Sequence, residues 1–147
     1  MNAGGVDKAC KSNAGGWTLE TRSWKRYNVV VKNFQDLDVY KRASELFPRI
    51  YRLVRSWSAF DQRELGSQLI RAANSIHANL AEGFSKSEKD FKRYIGTAIG
   101  SCDEVVSHLT DAHHINLITE QEKQELVGEY EVVGKQLTRL KQSWKRL

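Results

Sequence analysis

Proline is almost missing from this chain: Pro48 is the only one in 147 residues. Long uninterrupted helices are therefore permitted nearly everywhere. Cysteine is scarce as well. Cys10 and Cys102 stand far apart in sequence and in expected context, so neither a disulfide framework nor a paired-cysteine metal site is expected, and a Cys10–Cys102 bridge is a poor reading. The setting implied is reduced and cytoplasmic. No apolar run approaches the ~20 residues that span a bilayer, and the first residues lack the apolar core of a secretory signal. There is no Gly-rich phosphate loop and no HExxH motif.

Charge is what the chain has in quantity, and it is unevenly placed. The net charge is +5. Residues 1–33 hold six Lys/Arg against two Asp/Glu, a surplus of +4, which leaves only +1 for residues 34–147. The segment up to Gly16 is Gly-rich and polar and is expected to be flexible. Residues 1–33 therefore read as a flexible basic tail and 34–147 as the folded domain. Trp17 and Trp24 among Arg22, Lys25 and Arg26 have the composition of a nucleic-acid arm. The alternative is an appended segment with no role. Val29-Val30-Val31 is a short β-prone run without an evident partner.

The folded part is organised around Leu65–Phe84. Leu65, Leu69, Ala72, Ala73, Ile76 and Leu80 recur at helical spacing, and the small residues among them let neighbouring helices approach. Asn79 and Gly83 fall inside the stripe. A buried carboxamide needs partners or costs about 1–3 kcal/mol, and Gly83 reads as the C′ residue that ends the helix. Glu82 lies against the helix dipole, so a partner is expected: the start of helix three, Lys92 or Arg93.

Three further helices flank it. Helix one is expected over Asp36–Ser56, with Leu37, Tyr40, Ser44, Phe47, Tyr51 and Val54 inward, widened by Ala43, Leu46, Ile50 and Leu53. Pro48 should bend it without breaking it. Trp57–Gln62 form the connection, and the central helix should start near Arg63. Ser85-Lys86-Ser87-Glu88 or Ser87-x-x-Asp90 caps helix three, whose seam is Phe91, Ile95, Ala98, Cys102, Val105, Leu109 and Ala112, ending near Asn116. Gly96 and Gly100 in mid-helix each cost about 0.8–1 kcal/mol relative to alanine, which suggests close backbone approach within the bundle or between subunits. Thr119–Glu122 is a capping box for helix four, with Leu126, Tyr130, Val133, Leu137, Leu140, Trp144 and Leu147 inward. Tyr40, Tyr51 and Trp144 read as core aromatics. Repeats near 3.5 and short connections predict an all-α, antiparallel, up-down-up-down four-helix bundle.

Ala72-Ala73-x-Ser75-Ile76-x-x-Asn79-Leu80-Ala81-Glu82-Gly83 resembles the signature of the four-helix-bundle proteins encoded by intervening sequences in bacterial large-subunit (23S) rRNA genes. Phe34-x-x-Leu37-x-Val39-Tyr40 and Ala98-x-Gly100-Ser101-x-x-Glu104 extend the match over roughly residues 34–144. The motif places structural weight on Ser75, Asn79, Glu82, Gly83, Gly100 and Glu104. The family is similar to the accessory variability proteins of diversity-generating retroelements. That similarity implies a homopentameric ring in contact with a reverse transcriptase and nucleic acid.

No catalytic set stands out, and the protein is not expected to be an enzyme or to take a small-molecule substrate or cofactor. His108, Asp111, His113 and His114 are the nearest approach to a metal set, but only His108 and Asp111 clearly share a helical face. Histidines solvated at a helix end are the default, and so no metal is expected. His77 reads as a structural histidine. Candidate nucleic-acid contacts are Lys86, Lys89, Lys92 and Arg93 at the start of helix three, with Arg139, Lys141, Lys145 and Arg146 at the end of helix four. Two functions remain: an oligomeric accessory protein binding nucleic acid or a ribonucleoprotein, and a protein-interaction scaffold without nucleic acid.

Overall fold

The computed structural model describes residues 31–145. Cys10, Trp17, Trp24, Val29, Val30, Arg146 and Leu147 lie outside them, as does almost all of the basic tail. Among the described residues there are four long helices and no strand: α1 (Asp38–Arg55), α2 (Ser67–Phe84), α3 (Glu88–His114) and α4 (Glu120–Ser143). α2 packs on α1 and α3, α3 packs on α4, and α4 returns to α1. This cyclic order is the antiparallel up-down-up-down bundle. Arg42 donates to Glu129 at 2.8 Å, and Arg49 to Glu125, tying α1 to α4. No helix is long and apolar enough to cross a membrane among the described residues.

The core contains the expected seams of α2, α3 and α4. Leu69, Ile76, Leu80, Phe91, Ile95, Val105, Leu109, Val133 and Leu137 have no accessible surface. α1 is rolled relative to expectation. Val39, Ala43, Leu46, Ile50 and Val54 point inward, Tyr40 and Phe47 are half-buried, and Tyr51 is 46% exposed. The aliphatic row won because it meshes with small α2 side chains, whereas the aromatic row lies on the α1–α2 flank. Helix one also begins with a separate 3-10 turn, Phe34–Asp36, capped by Asn33, and Leu37 is extended before α1 starts. α1 runs through Pro48 without a break.

The central α-helix starts at Ser67, later than Arg63, although helical turns of other kinds precede it. Ser58 caps a single helical turn, Ala59–Asp61, and a π-helical turn, Gln62–Gly66, leads into α2. Trp57 is buried beneath it. A Cβ on Gly66 would lie 2.4 Å from Cγ1 of Val54, so any larger residue at this crossing would force Val54 or the helices to shift. Gly83 is not the C′ residue. α2 continues to Phe84, and Ser85 follows with an ordinary right-handed backbone, φ −85°. Gly83 is required for packing instead: a Cβ there would lie 2.6 Å from Cβ of Tyr94 on α3. The left-handed cap belongs to Asn116, φ 62°, after α3. There the Leu117 amide donates to Ala112 at 2.8 Å and the Asn116 amide to His113 at 3.0 Å, as in a Schellman turn. Ser87 caps α3 by accepting from the Asp90 amide, and Thr119–Glu122 forms its capping box on α4.

Candidate nucleic-acid interface

The topology sorts charge that the sequence leaves scattered. Antiparallel order puts the start of α1, the end of α2, the start of α3 and the end of α4 at one end of the bundle. Dividing each helix near its middle, this end holds eleven Lys/Arg against six Asp/Glu, a net +5. The opposite end holds six against ten, a net −4. The near-neutral body is thus strongly polar along its axis. Val31, where the described chain begins, packs against the core, as does Phe34.

Lys89, Lys141, Lys145 and Arg139 are exposed and form no ion pair among the described residues. Lys141 reaches across to α3, its Nζ 3.0 Å from where a Cβ on Gly96 would stand. Of the α4 cations, Lys141 is thereby laid against α3, next to the turn that carries Lys92 and Arg93. Arg139 stands at the opposite helical register from Leu137, facing away from the bundle axis. Lys92 is bound to Glu88 at 2.6 Å, and Arg93 approaches Asp90 at 3.5 Å with its guanidinium 5.7 Å over the Tyr94 ring. Lys86 sits at the α2–α3 turn, donating its backbone amide to Gly83. Aromatic rings close this end. Phe91 and Trp144 lie edge to face at 4.7 Å, Phe84 and Trp144 at 5.6 Å, and Phe34 meets Tyr40 at 4.9 Å. Tyr40 and Trp144 are half-buried at the margin of the core.

The partner of Glu82 is neither Lys92 nor Arg93. It accepts from the Tyr94 hydroxyl at 2.9 Å. That hydrogen bond raises the Tyr94 pKa, with desolvation and the carboxylate charge acting the same way. The signal in the sequence was the i, i+12 spacing across a short turn, which only the packing of Tyr94 on Gly83 makes meaningful.

The other motif residues line the α2–α3 flank. Nδ2 of Asn79 donates to the Ser75 carbonyl at 2.7 Å and to its hydroxyl at 2.9 Å; Ser101 donates to the Ser75 hydroxyl at 3.0 Å. The half-buried carboxamide is satisfied, and the chain of hydroxyls links the two helices. Outside it lies a groove of about 450 Å³ lined by Gln68, Arg71, Ser75, Thr97, Gly100 and Glu104, among others. Gly96 and Gly100 do not mark close backbone approach inside the chain: Gly96 is covered by the Lys141 side chain, and nothing lies within 4 Å of a Cβ on Gly100. Glu82 and Glu104 have different surroundings and form no carboxylate pair.

No group of three or more potential metal ligands occurs among the described residues. His113 instead meets Glu120 at 3.1 Å. Glu120 is held below the usual carboxylate range by hydrogen bonds from Lys123 and Gln124, then by the charges of Lys123 and His113. His77 lies edge-on to Phe47 at 5.6 Å and to Tyr40 at 6.0 Å, and burial lowers its pKa. Burial also pushes the Cys102 thiol up to about 12, with a smaller contribution from Asp103.

Comparison with known proteins agrees with this architecture. A crystal structure of a protein of unknown function from Bacteroides thetaiotaomicron, from the S23 ribosomal protein family, superposes with a TM-score of 0.64 at 22% identity. The match covers 71% of this chain and 96% of that one, and it establishes a shared fold. No curated protein matches the chain. The profile of the 23S rRNA-intervening sequence proteins matches residues 35–139, which contain α1, both motif helices and most of α4. The chain belongs to the family of 23S rRNA-intervening sequence proteins.

Proposed function

We propose that this protein is a non-enzymatic, cytoplasmic accessory factor. In this reading it binds nucleic acid, or a ribonucleoprotein such as a reverse-transcriptase complex, through the basic end of the bundle and acts as a homopentameric ring. The observation that carries this reading is the axial charge separation, +5 against −4, in a body whose total is only +1. Total charge understates the local field: a polyanion meeting one end encounters Lys89, Lys141 and Lys145 without ion-pair partners among the described residues. Residues 1–30 carry five Lys/Arg against two Asp/Glu. A ring repeats the weak contact and raises its effective strength.

The test is fluorescence anisotropy of RNA and DNA oligonucleotides across a salt series. Each phosphate neutralised contributes about −0.7 to the log–log salt slope on a single strand. Replacing Lys89, Lys141 and Lys145 by glutamine should flatten the slope by roughly 2. An unchanged slope removes these residues from the interface. No binding of either nucleic acid at low salt refutes the reading itself. The second reading is a protein-interaction scaffold, favoured by the open groove on α2–α3 and the exposed Tyr51. Its binding would change little with salt.

A further inference from the structure

Several residues of the sequence motif that the basic end does not use gather in one place. Ser75 on α2 and Gly100, Ser101 and Glu104 on α3 line the α2–α3 groove, about 450 Å³ in volume. Small-ligand sites fall in this size range. The floor is fixed before anything binds. Ser101 is buried, its hydroxyl lies 3.0 Å from that of Ser75, and Nδ2 of Asn79 holds the Ser75 hydroxyl at 2.9 Å. Gly100 leaves one wall open, with nothing within 4 Å of where a Cβ would stand.

The two walls carry opposite charge at one height. Arg71 lines the groove from α2 and Glu104 from α3. The contacts of Ser75 with Ser101 and of Gly83 with Tyr94 set the antiparallel register. Counted through these at ~1.5 Å per residue, Arg71 and Glu104 lie within about 3 Å of the same level. Yet they do not pair: neither forms an ion pair among the described residues. A guanidinium and a carboxylate bordering the same space define what can fill it. A simple anion is repelled by Glu104, and a simple cation by Arg71. An apolar molecule leaves both walls without a partner. A molecule with an anionic and a cationic group close together satisfies both.

We infer that the α2–α3 groove binds a free α-amino acid with a polar side chain. The ligand's carboxylate takes the Arg71 guanidinium, whose planar fork suits a two-oxygen group, and its ammonium donates to Glu104. Its side chain runs past Gly100 and the Ser75 hydroxyl toward Thr97, which line the rest of the groove. Hydroxyls on that path favour a carboxamide or hydroxyl over an aliphatic chain. A side chain at position 100 would occupy the space the ligand needs. Sequence alone gives no sign of this ligand, because Arg71 and Glu104 stand on different helices and only the α2–α3 register brings them level. The site lies on the flank of the bundle and does not depend on the nucleic-acid reading of its basic end.

Isothermal titration of the full chain tests this, with circular dichroism as the control for folding. The probes are L-glutamine and L-asparagine, with L-leucine as the apolar comparison. One of the two polar probes should bind saturably, and more tightly than leucine. N-acetylation of that probe removes its ammonium, and conversion to the α-amide removes its carboxylate. Each change should weaken binding roughly 10–100-fold, the weight of one charge-assisted hydrogen bond. Glu104→Gln should weaken the parent probe by a similar factor and leave the N-acetyl probe unaffected. Arg71→Gln should do the same for the parent and the α-amide. This matching of variant to ligand end is a readout that loss of structure would not produce. Gly100→Leu should abolish binding; if it does not fold, the two charge variants decide alone. No binding of either polar probe at millimolar concentration overturns the site. So does binding that survives Arg71→Gln and Glu104→Gln unchanged, or leucine binding as tightly as the polar probes.

Discussion

Replacing Gly83 by alanine is the sharpest test of how α2 and α3 meet. Alanine is the better helix former by at most about 1 kcal/mol. The gain is smaller here because Gly83 stands one residue before the end of α2. The new Cβ would lie 2.6 Å from Cβ, 2.7 Å from Cγ and 2.9 Å from Cδ2 of Tyr94. The first of these atoms is fixed to the α3 backbone, so no rotamer change removes the clash. The helices must separate, and overpacking of this kind costs about 1–3 kcal/mol. Separation also pulls the Tyr94 hydroxyl from Glu82. The net expectation is a loss of about 1–2 kcal/mol, or roughly 4–10 °C in Tm for a domain of this size. Gly128→Ala is the control: it lies inside α4 with nothing within 4 Å of its Cβ, and it should gain about 0.8–1 kcal/mol. Urea and thermal unfolding at fixed protein concentration read both. If Gly83→Ala is as stable as the wild type or more so, the close approach of Tyr94 is refuted.

Other expectations concern buried groups. Cys102 is buried and its thiol is pushed up to about 12, so in a Cys10→Ser background it should resist a thiol reagent at pH 8 until the protein unfolds. Reaction at the rate of a free thiol would place it at the surface. The Tyr130 hydroxyl is buried without a hydrogen-bond partner among the described residues. An unsatisfied buried donor costs about 1–3 kcal/mol, so Tyr130→Phe should leave stability unchanged or raise it by about 1 kcal/mol in urea titration, and a clear loss would reveal a bond to that hydroxyl. Burial lowers the His77 pKa from 6.5. The unfolded chain therefore binds more protons than the folded one just below pH 6.5, and stability should fall as pH drops through that value. His77→Gln should flatten the fall between pH 6.5 and 5; an identical slope would exclude His77 as its source.

Local signals carried much of the architecture because they act within one turn. The Thr119–Glu122 box, the Ser87 cap and the four-three seams of α3 and α4 are readable from spacing alone. The roll of α1 was not. Its aromatic and aliphatic rows are both apolar at helical spacing, and only the small α2 surface selects Val39, Ala43, Leu46 and Ile50 over Tyr51. Gly83 misled for a related reason: a glycine near a helix end has the same signature whether it frees the backbone or admits a neighbour.

From its amino acids alone, then, this chain determined four amphipathic segments, their caps and membership of a motif family, since periodicity and capping depend on residues three or four apart. Tertiary structure decided which glycines are indispensable, which carboxylate Tyr94 binds, and that a body of net charge +1 has one basic and one acidic end. Those outcomes depend on residues brought together across helices by antiparallel packing, and sequence distance carries no measure of that.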